Sequence, residues 1–319
     1  MRVAVLGGGA VGSLFSFLLR TGGAEVVVYE SDPDRREWLR SGGLVLEGCL
    51  EGISGIELGE FGRPVDPFDL MLIAVPAQCT AEALRKVSPF VHRETYYISA
   101  QDGHVLPELK NLVGPSRSAS LICRVSACLS EGGPVEVEEA REVALVAGEG
   151  FDSEAARTFM EIISNIVPVH LLEGEEARRG ISERMAVSST INAICAVAAK
   201  PPCLLKEDWE AKDLVDRACR EARVALGLEE SGADPFREGV WDRLMPPMSW
   251  HLARYGRTEV EYLSGDILRR GRERSTHLFV QRSLYTVVKE MEAGRLSPGE
   301  KAWRELRRRV EEDEGLGLV

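Results

Sequence analysis

Apolar and polar positions alternate along the first half of the chain in the rhythm of strands and helices in turn. Arg2–Leu6 (RVAVL) is a short β-branched run with the pattern of a buried strand. Residues 13–20 (SLFSFLLR) predict a mostly buried helix, stopped by Thr21-Gly22-Gly23. Glu25–Tyr29 (EVVVY) is a second buried strand, and Glu30 follows it. Asp32-Pro33 opens a polar helix over residues 34–40, ended by Gly42-Gly43. Residues 44–46 and 53–58 read as short strands of a hairpin over residues 48–52. The apolar block 67–76 predicts a strand that breaks at Val75-Pro76, with a helix over Thr80–Val87 after it. Residues 95–99 are another strand, running into the turn Ala100-Gln101-Asp102-Gly103. Residues 118–147 alternate enough for two or three more strands. Asp152-Ser153 caps a helix through Asn165, and residues 167–171 form a last strand or connector.

From about Glu175 the pattern becomes helical. Residues 175–199 have apolar positions at helical spacing, interrupted by small polar ones, and Pro201-Pro202 breaks the run. Residues 208–226 read as an amphipathic helix ended by Gly227. Residues 248–255, 262–271 and 276–293 are further helical stretches, and 300–314 form a charged last helix with a solvated face. The fold class is therefore α/β plus all-α. An α/β domain over residues 1–170, whose opening strand, G-x-G-x-x-G at Gly7 to Gly12, helix and second strand mark it as a Rossmann dinucleotide-binding domain, precedes a helical domain over 171–319.

The first strand runs directly into Gly7-Gly8-Gly9-Ala10-Val11-Gly12, a G-x-G-x-x-G set between strand and helix. In that context Gly7 allows the tight turn, Gly9 lets a pyrophosphate approach the backbone, and Gly12 lets helix and strand pack closely. The first helical turn, with Ala10 and Val11, offers free N–H groups to the phosphates. Glu30, followed by Ser31, suits the ribose 2′-OH and repels a 2′-phosphate. NAD(H) is therefore favoured, with NADP(H) left open by the nearby Arg35 and Arg36. Val75, Pro76, Gln101 and Asp102, at strand ends, are expected to line the same crevice.

Composition narrows the rest. The net charge of −12 speaks against nucleic acid as the main partner. It says little about a small acidic substrate. Of seven scattered cysteines without a C-x-x-C, most sit in apolar surroundings and read as reduced core residues of a cytoplasmic protein, and the histidines show no metal-ligand spacing with them. Residues 3–19 carry no charge, but four glycines interrupt them, so neither a signal peptide nor a membrane span is expected. A homodimer is one open outcome for the assembly.

Three segments carry a resemblance to the ketopantoate reductase (2-dehydropantoate 2-reductase) family. The opening Gly7-Gly8-Gly9-Ala10-Val11-Gly12 is similar to the family's start, and Gln101-Asp102-Gly103 resembles its Q-N-G turn. Gly256-Arg257-Thr258-Glu259-Val260-Glu261-Tyr262-Leu263-Ser264-Gly265-Asp266-Ile267 closely resembles its R-T-E-I-D-Y-I-N-G segment. The resemblance implies hydride transfer from a reduced nicotinamide to the keto carbon of a 2-oxo acid. It also implies a helix lysine as proton donor, an asparagine one turn later, and the T-E glutamate orienting substrate or lysine.

The chain departs from that pattern. The family's K-x-x-x-N-x-x-x-N aligns with Arg184, Ser188 and Asn192, so the lysine is an arginine, the first asparagine a serine, and the second is retained. Asp102 stands for the asparagine of the turn. The usual serine and aspartate before the T-E segment fall on Pro247 and His251, while Glu259 is kept. Arginine holds its proton too tightly for a general acid but can clamp a carboxylate or polarise a carbonyl. His251 is then the candidate proton donor, or else a surface or interface histidine. Asp102 is expected to disfavour an anionic substrate there, or to bind an amine. Ser188 and Ser189 read either as site residues or as small residues allowing close helix packing. The expected catalytic set is Arg184, Glu259, Ser188, Asn192 and His251.

Three functions follow from these residues: reduction of a 2-oxo acid or imine other than ketopantoate, ketopantoate reduction with Arg184 in the lysine's place, or dinucleotide binding without catalysis.

Overall fold

The computed structural model describes residues 1–63, 66–87, 93–130, 133–151, 153–230, 234–238 and 241–315. The chain folds as two compact units: Met1–Gln101 with Val105–Ala177, and Asp102–His104 with Arg178–Val319.

The first unit is built on one ten-stranded sheet. Its strands are β1 (Arg2–Leu6), β2 (Glu25–Tyr29), β3 (Leu44–Gly48), β4 (Gly52–Ser54), β5 (Glu57–Leu58), β6 (Leu70–Ile73), β7 (Tyr96–Ser99), β8 (Ser118–Leu129), β9 (Val135–Ala147) and β10 (Val169–Leu172). Helices α1 (Ala10–Thr21), α2 (Pro33–Gly42), α3 (Thr80–Val87), α4 (Leu106–Val113) and α5 (Glu154–Ser164) join them. The order is β4-β3-β9-β8-β7-β6-β1-β2-β5, with β10 off this path and parallel to β9. Strands β5, β2, β1, β6, β7 and β8 run parallel in the doubly wound order, so the chain reverses direction between β1 and β6. In open α/β sheets such a reversal is where a crevice forms at the carboxyl ends of the strands, here those of β1 and β6. Val3, Ala4, Val5 and Leu6 are buried, because β1 is paired on both edges and covered on both faces.

Two sequence expectations need correcting. Residues 53–58 are not one strand: Gly52–Ser54 forms the expected hairpin with β3, whereas Glu57–Leu58 pairs with β2 at the opposite edge. Ile53 is 78% exposed, so no buried face holds the run together. Of the cysteines, Cys123, Cys195 and Cys219 are buried, but Cys49 is exposed at the hairpin. All seven stand as free thiols. Helix α5 is capped by the Ser153 hydroxyl, which accepts from Ala156 N at 3.2 Å; Asp152 lies outside the described residues.

The second unit is helical: α6 (Gly174–Ala198, whose first turn belongs to the first unit), α7 (Pro202–Lys206), α8 (Trp209–Ala225), α9 (Pro235–Glu238), α10 (Pro247–Tyr255), α11 (Asp266–Glu273), α12 (Phe279–Glu292) and α13 (Glu300–Gly315). The long helical segment expected over residues 175–199 is α6. Its small polar residues bond back to the helix, Ser189 and Thr190 both donating to Ala186 O, and α6 is buried all round from Met185 to Ala198. Before α11 the chain makes one π-helical turn, Glu261–Gly265, in which Gly265 N–H reaches Val260 O at 2.9 Å. No described helix is long and apolar enough to cross a membrane.

Glu221 on α8 accepts the backbone N–H groups of Val280 and Gln281 in the first turn of α12, at 3.0 and 2.8 Å. Burial outweighs these bonds and pushes its carboxyl up to about 7. A value raised in the fold means that this stabilisation is complete below pH 4.5 and is lost as pH rises through about 7. Urea unfolding across that window is expected to show stability falling by at most about 1.4 kcal/mol per pH unit. Glu221→Gln should flatten the profile, and an unaltered slope in the variant would assign the effect elsewhere.

Candidate functional site

The loop after β1 is closed by its own backbone at two glycines and left open at the third. Gly7 has φ +101°, and a Cβ there would sit 2.9 Å from Ala74 O. A Cβ on Gly12 would meet Gly7 O at 1.9 Å. Around Gly9 no atom lies within 4 Å of a Cβ position. The fold itself therefore requires glycine at 7 and 12, whereas the space at Gly9 is available to something outside the chain. Gly9 caps α1 without a side-chain bond, so the first-turn N–H groups, those of Ala10 and Val11 among them, are open to an anion. This arrangement fits a pyrophosphate.

Side chains from β2 and α2 hold the loop. Glu30 accepts from Gly8 N at 2.7 Å with one carboxylate oxygen, and from Ser31 N and Asp32 N at 2.6 and 2.7 Å with the other. Arg35 is buried, not poised for a phosphate as its position in the sequence suggested. Its Nε donates to Gly8 O at 2.7 Å, one Nη to Ser13 Oγ at 2.9 Å and the other to Gly133 O. Burial lowers it to about 10, against the pull of Glu30 and Asp32. Arg36 donates to Gly59 O at 2.8 Å. Beside Glu30 and Ser31 opens a cavity of about 710 Å³, lined also by Arg36, Arg40, Phe61 and Lys86. Arg40 pairs with Glu37, and Lys86 pairs with Glu82 at 2.7 Å.

Gln101 is spent inside the first unit. Its amide donates to Val75 O at 2.6 Å and Thr80 Oγ1 at 2.8 Å and accepts from Ser99 Oγ at 2.8 Å. It ties the end of β7 to the Val75-Pro76 bend after β6, and so shapes the sheet's carboxyl edge.

In the second unit the structure brings Asp102, Arg184 and Ser188 together. Arg184 Nε and Nη2 donate to the two carboxylate oxygens of Asp102 at 3.0 and 3.2 Å. Ser188, one turn along α6, adds its hydroxyl at 3.0 Å. Asp102 is thus no isolated anion awaiting an amine, and Arg184 is no open two-pronged clamp: each neutralises the other. Arg184 Nη1 keeps no hydrogen bond to a described residue. Asn192, a further turn along the same face, is buried with its Oδ1 unpartnered among the described residues. Ser189 is fully buried, which agrees with its packing reading.

The remaining expected residues form a second pair. His251 Nδ1 lies 2.5 Å from Glu259 Oε1, off the line of a hydrogen bond, and its ring stacks on Tyr255. At 16% exposure the His251 side chain is not a surface histidine. Thr258 anchors the segment through its N–H and hydroxyl, both donating to Glu292 at 2.7 and 2.8 Å.

Sequence reasoning passed over His104 and Asp266. His104 Nδ1 lies 2.7 Å from Met185 Sδ and 3.2 Å from Asp266 Oδ2. Burial alone would raise the Asp266 carboxyl, but bonds from His104, Arg270 and Arg269 hold it well below the usual carboxylate range. Arg270 Nε reaches it at 2.7 Å. A histidine directly after the Gln101-Asp102-Gly103 turn was the available signal; its partner, far away in sequence, was not.

Substitution separates the two kinds of glycine. Gly12→Ala is expected to cost more than about 2 kcal/mol in chemical denaturation, through the clash with Gly7 O. Gly9→Ala should stay within about 1 kcal/mol of the parent chain. Equal losses would contradict the assignment of the open space.

Residues 3–150 match the family described as ketopantoate reductase PanE/ApbA. The 2-dehydropantoate 2-reductase of Aquifex aeolicus is 23% identical over 303 residues, 86% of this chain and 91% of that one. Among solved structures, 2-dehydropantoate 2-reductase from Geobacter metallireducens GS-15 is similar with a TM-score of 0.78 at 19% identity, covering 91% of this chain and 99% of that one. D-mandelate dehydrogenase with NADH and anilino(oxo)acetate is similar with a TM-score of 0.77 at 19% identity, covering 92% and 99%. At such identities the structural likeness bears on the fold alone. The likeness to ketopantoate reductase PanE/ApbA covers residues 3–150, and the relative at 23% identity extends it along most of the chain.

Proposed function

We propose that the chain is an NADH-dependent reductase of a 2-oxo acid or of the corresponding imine. The observation that carries this reading is the Gly9 opening at the start of α1, in a loop whose other two motif glycines are closed by backbone. NADH is preferred to NADPH because three backbone N–H groups hold the Glu30 carboxylate at the end of β2, where it accepts from a ribose hydroxyl and repels a phosphate. Arg35 offers no compensating cation, being consumed by Gly8, Ser13 and Gly133.

The cofactor supplies the hydride. The chain's own groups bind and polarise the acceptor. Arg184 Nη1 is the guanidinium edge left to donate to a carbonyl or carboxylate oxygen, while Asp102 holds the plane of the fork. Ser188 donates to Asp102 and keeps its lone pairs for a donor on the substrate. Asn192 Oδ1 is a buried acceptor with the same need. Because Asp102 cancels the charge of Arg184, this cluster presents less net positive charge than a lone lysine would. The replacement of the lysine and first asparagine of the resembled pattern by Arg184 and Ser188 favours an acceptor other than ketopantoate, with ketopantoate reduction as the second reading.

Loss of dihydronicotinamide absorbance is the test, with NADH and NADPH, ketopantoate, other 2-oxo acids, and amine–keto acid mixtures that form imines. Oxidation of NADH in preference to NADPH with one of these acceptors is expected, and Gly9→Ala should weaken NADH binding while remaining folded. Dinucleotide binding without turnover across the panel would replace this reading with a non-catalytic nucleotide-binding role.

A further inference from the structure

With Arg184 unable to release a proton near neutral pH, the reaction proposed above lacks a donor for the substrate oxygen. We infer that His104 is that donor, acting through Nε2, and that Asp266 is its positioning residue. The inference rests on the reductase reading.

The geometry fixes the tautomer. His104 Nδ1 faces the sulfur of Met185 and the carboxylate of Asp266, at 2.7 and 3.2 Å. A thioether and an ionised carboxylate can both accept but neither can donate. Nδ1 therefore carries the hydrogen, and in the neutral ring Nε2 holds the lone pair. Asp266 is itself fixed, Arg270 Nε meeting the same oxygen at 2.7 Å and Arg269 meeting the other. A histidine oriented through Nδ1 by a half-buried carboxylate is an arrangement that lets imidazole exchange a proton at Nε2.

The surroundings suit the task. His104 follows Asp102 and Gly103 in the turn that Arg184 and Ser188 hold, and its contact Met185 adjoins Arg184 on α6. Among the described residues the charged group in contact with it is Asp266, held by two arginines of α11, while the Asp102–Arg184 pair adjoins it along its own turn and along α6. Gly103 makes this closeness available, since a Cβ there would lie 3.0 Å from Tyr262 O in the π turn. The competing pair is less well made: His251 Nδ1 is close to Glu259 but not aligned for a hydrogen bond.

The step balances. Hydride adds to the carbonyl carbon, the π pair moves to oxygen, and that oxygen takes the proton from Nε2 of the imidazolium. The ring is left neutral, with its hydrogen on Nδ1, and solvent water reprotonates it.

Two measurements test this. First, nitrogen–proton correlation NMR of the free protein at a pH where His104 is neutral should show the Nδ1–H tautomer, and Asp266→Asn should weaken that preference. A dominant Nε2–H form in the parent chain would overturn the inference without any appeal to activity. Second, His104→Gln should lower kcat about 100- to 10 000-fold while keeping NADH affinity. It should also abolish the fall in rate with rising pH that loss of the donor's proton produces, and Asp266→Asn should shift that limb. If His104→Gln keeps the limb and His251→Gln removes it, His251 is the donor and the inference fails. If the parent chain oxidises no NADH with any acceptor, the reductase reading fails and takes the second prediction with it.

Discussion

The ion pair between Asp102 and Arg184 sets the terms for everything else in the second unit. An arginine in the middle of a helical core is tolerable because a carboxylate meets its planar fork with two bonds, and because a serine hydroxyl satisfies that carboxylate further. Removing either partner would strand a largely desolvated charge, so the two residues constrain each other. The pair also clamps the Asp102–His104 turn onto α6, which brings His104 against Met185 and Asp266. One electrostatic requirement thus positions a turn, commits a cation, and leaves the proton chemistry to a neighbouring imidazole.

In the first unit the comparable constraint is the closure of the glycine loop. Gly7 and Gly12 let β1, α1 and the Ala74 backbone approach closely, and Arg35 and Glu30 stitch the loop from opposite charges. What remains open is the space over Gly9 and the first turn of α1. The same stitching uses Arg35 inside the fold, whereas Arg36, Arg40 and Lys86 line the cavity beside Glu30.

The local parts of this design are legible in the sequence. The β1–glycine–α1–β2 unit follows from hydrophobic period and turn residues, and the same reasoning bounds Thr80–Val87 correctly. The division of residues 53–58 is not legible, because pairing partners at opposite sheet edges leave no mark on a short run. Arg184, Ser188 and Asn192 stand out through the family resemblance and their four-residue spacing on a helix. The meeting of Asp102 with Arg184, which reverses the chemistry expected of both, depends on a contact between residues distant in the chain. Arg35 shows the same limit: a basic residue after the second strand suggests a phosphate partner, and only the fold reveals that it points inward.

The most direct test of the account is the fate of a label. NADH carrying deuterium at both C4 positions of the dihydronicotinamide should be incubated with the chain and with the acceptor it reduces fastest, and the product examined by mass spectrometry and NMR. The account predicts deuterium bound to the new carbinol or amine carbon, delivered without exchange with water. Oxidised cofactor accompanied by an unlabelled product carbon would contradict direct hydride transfer, and with it the function proposed for this site.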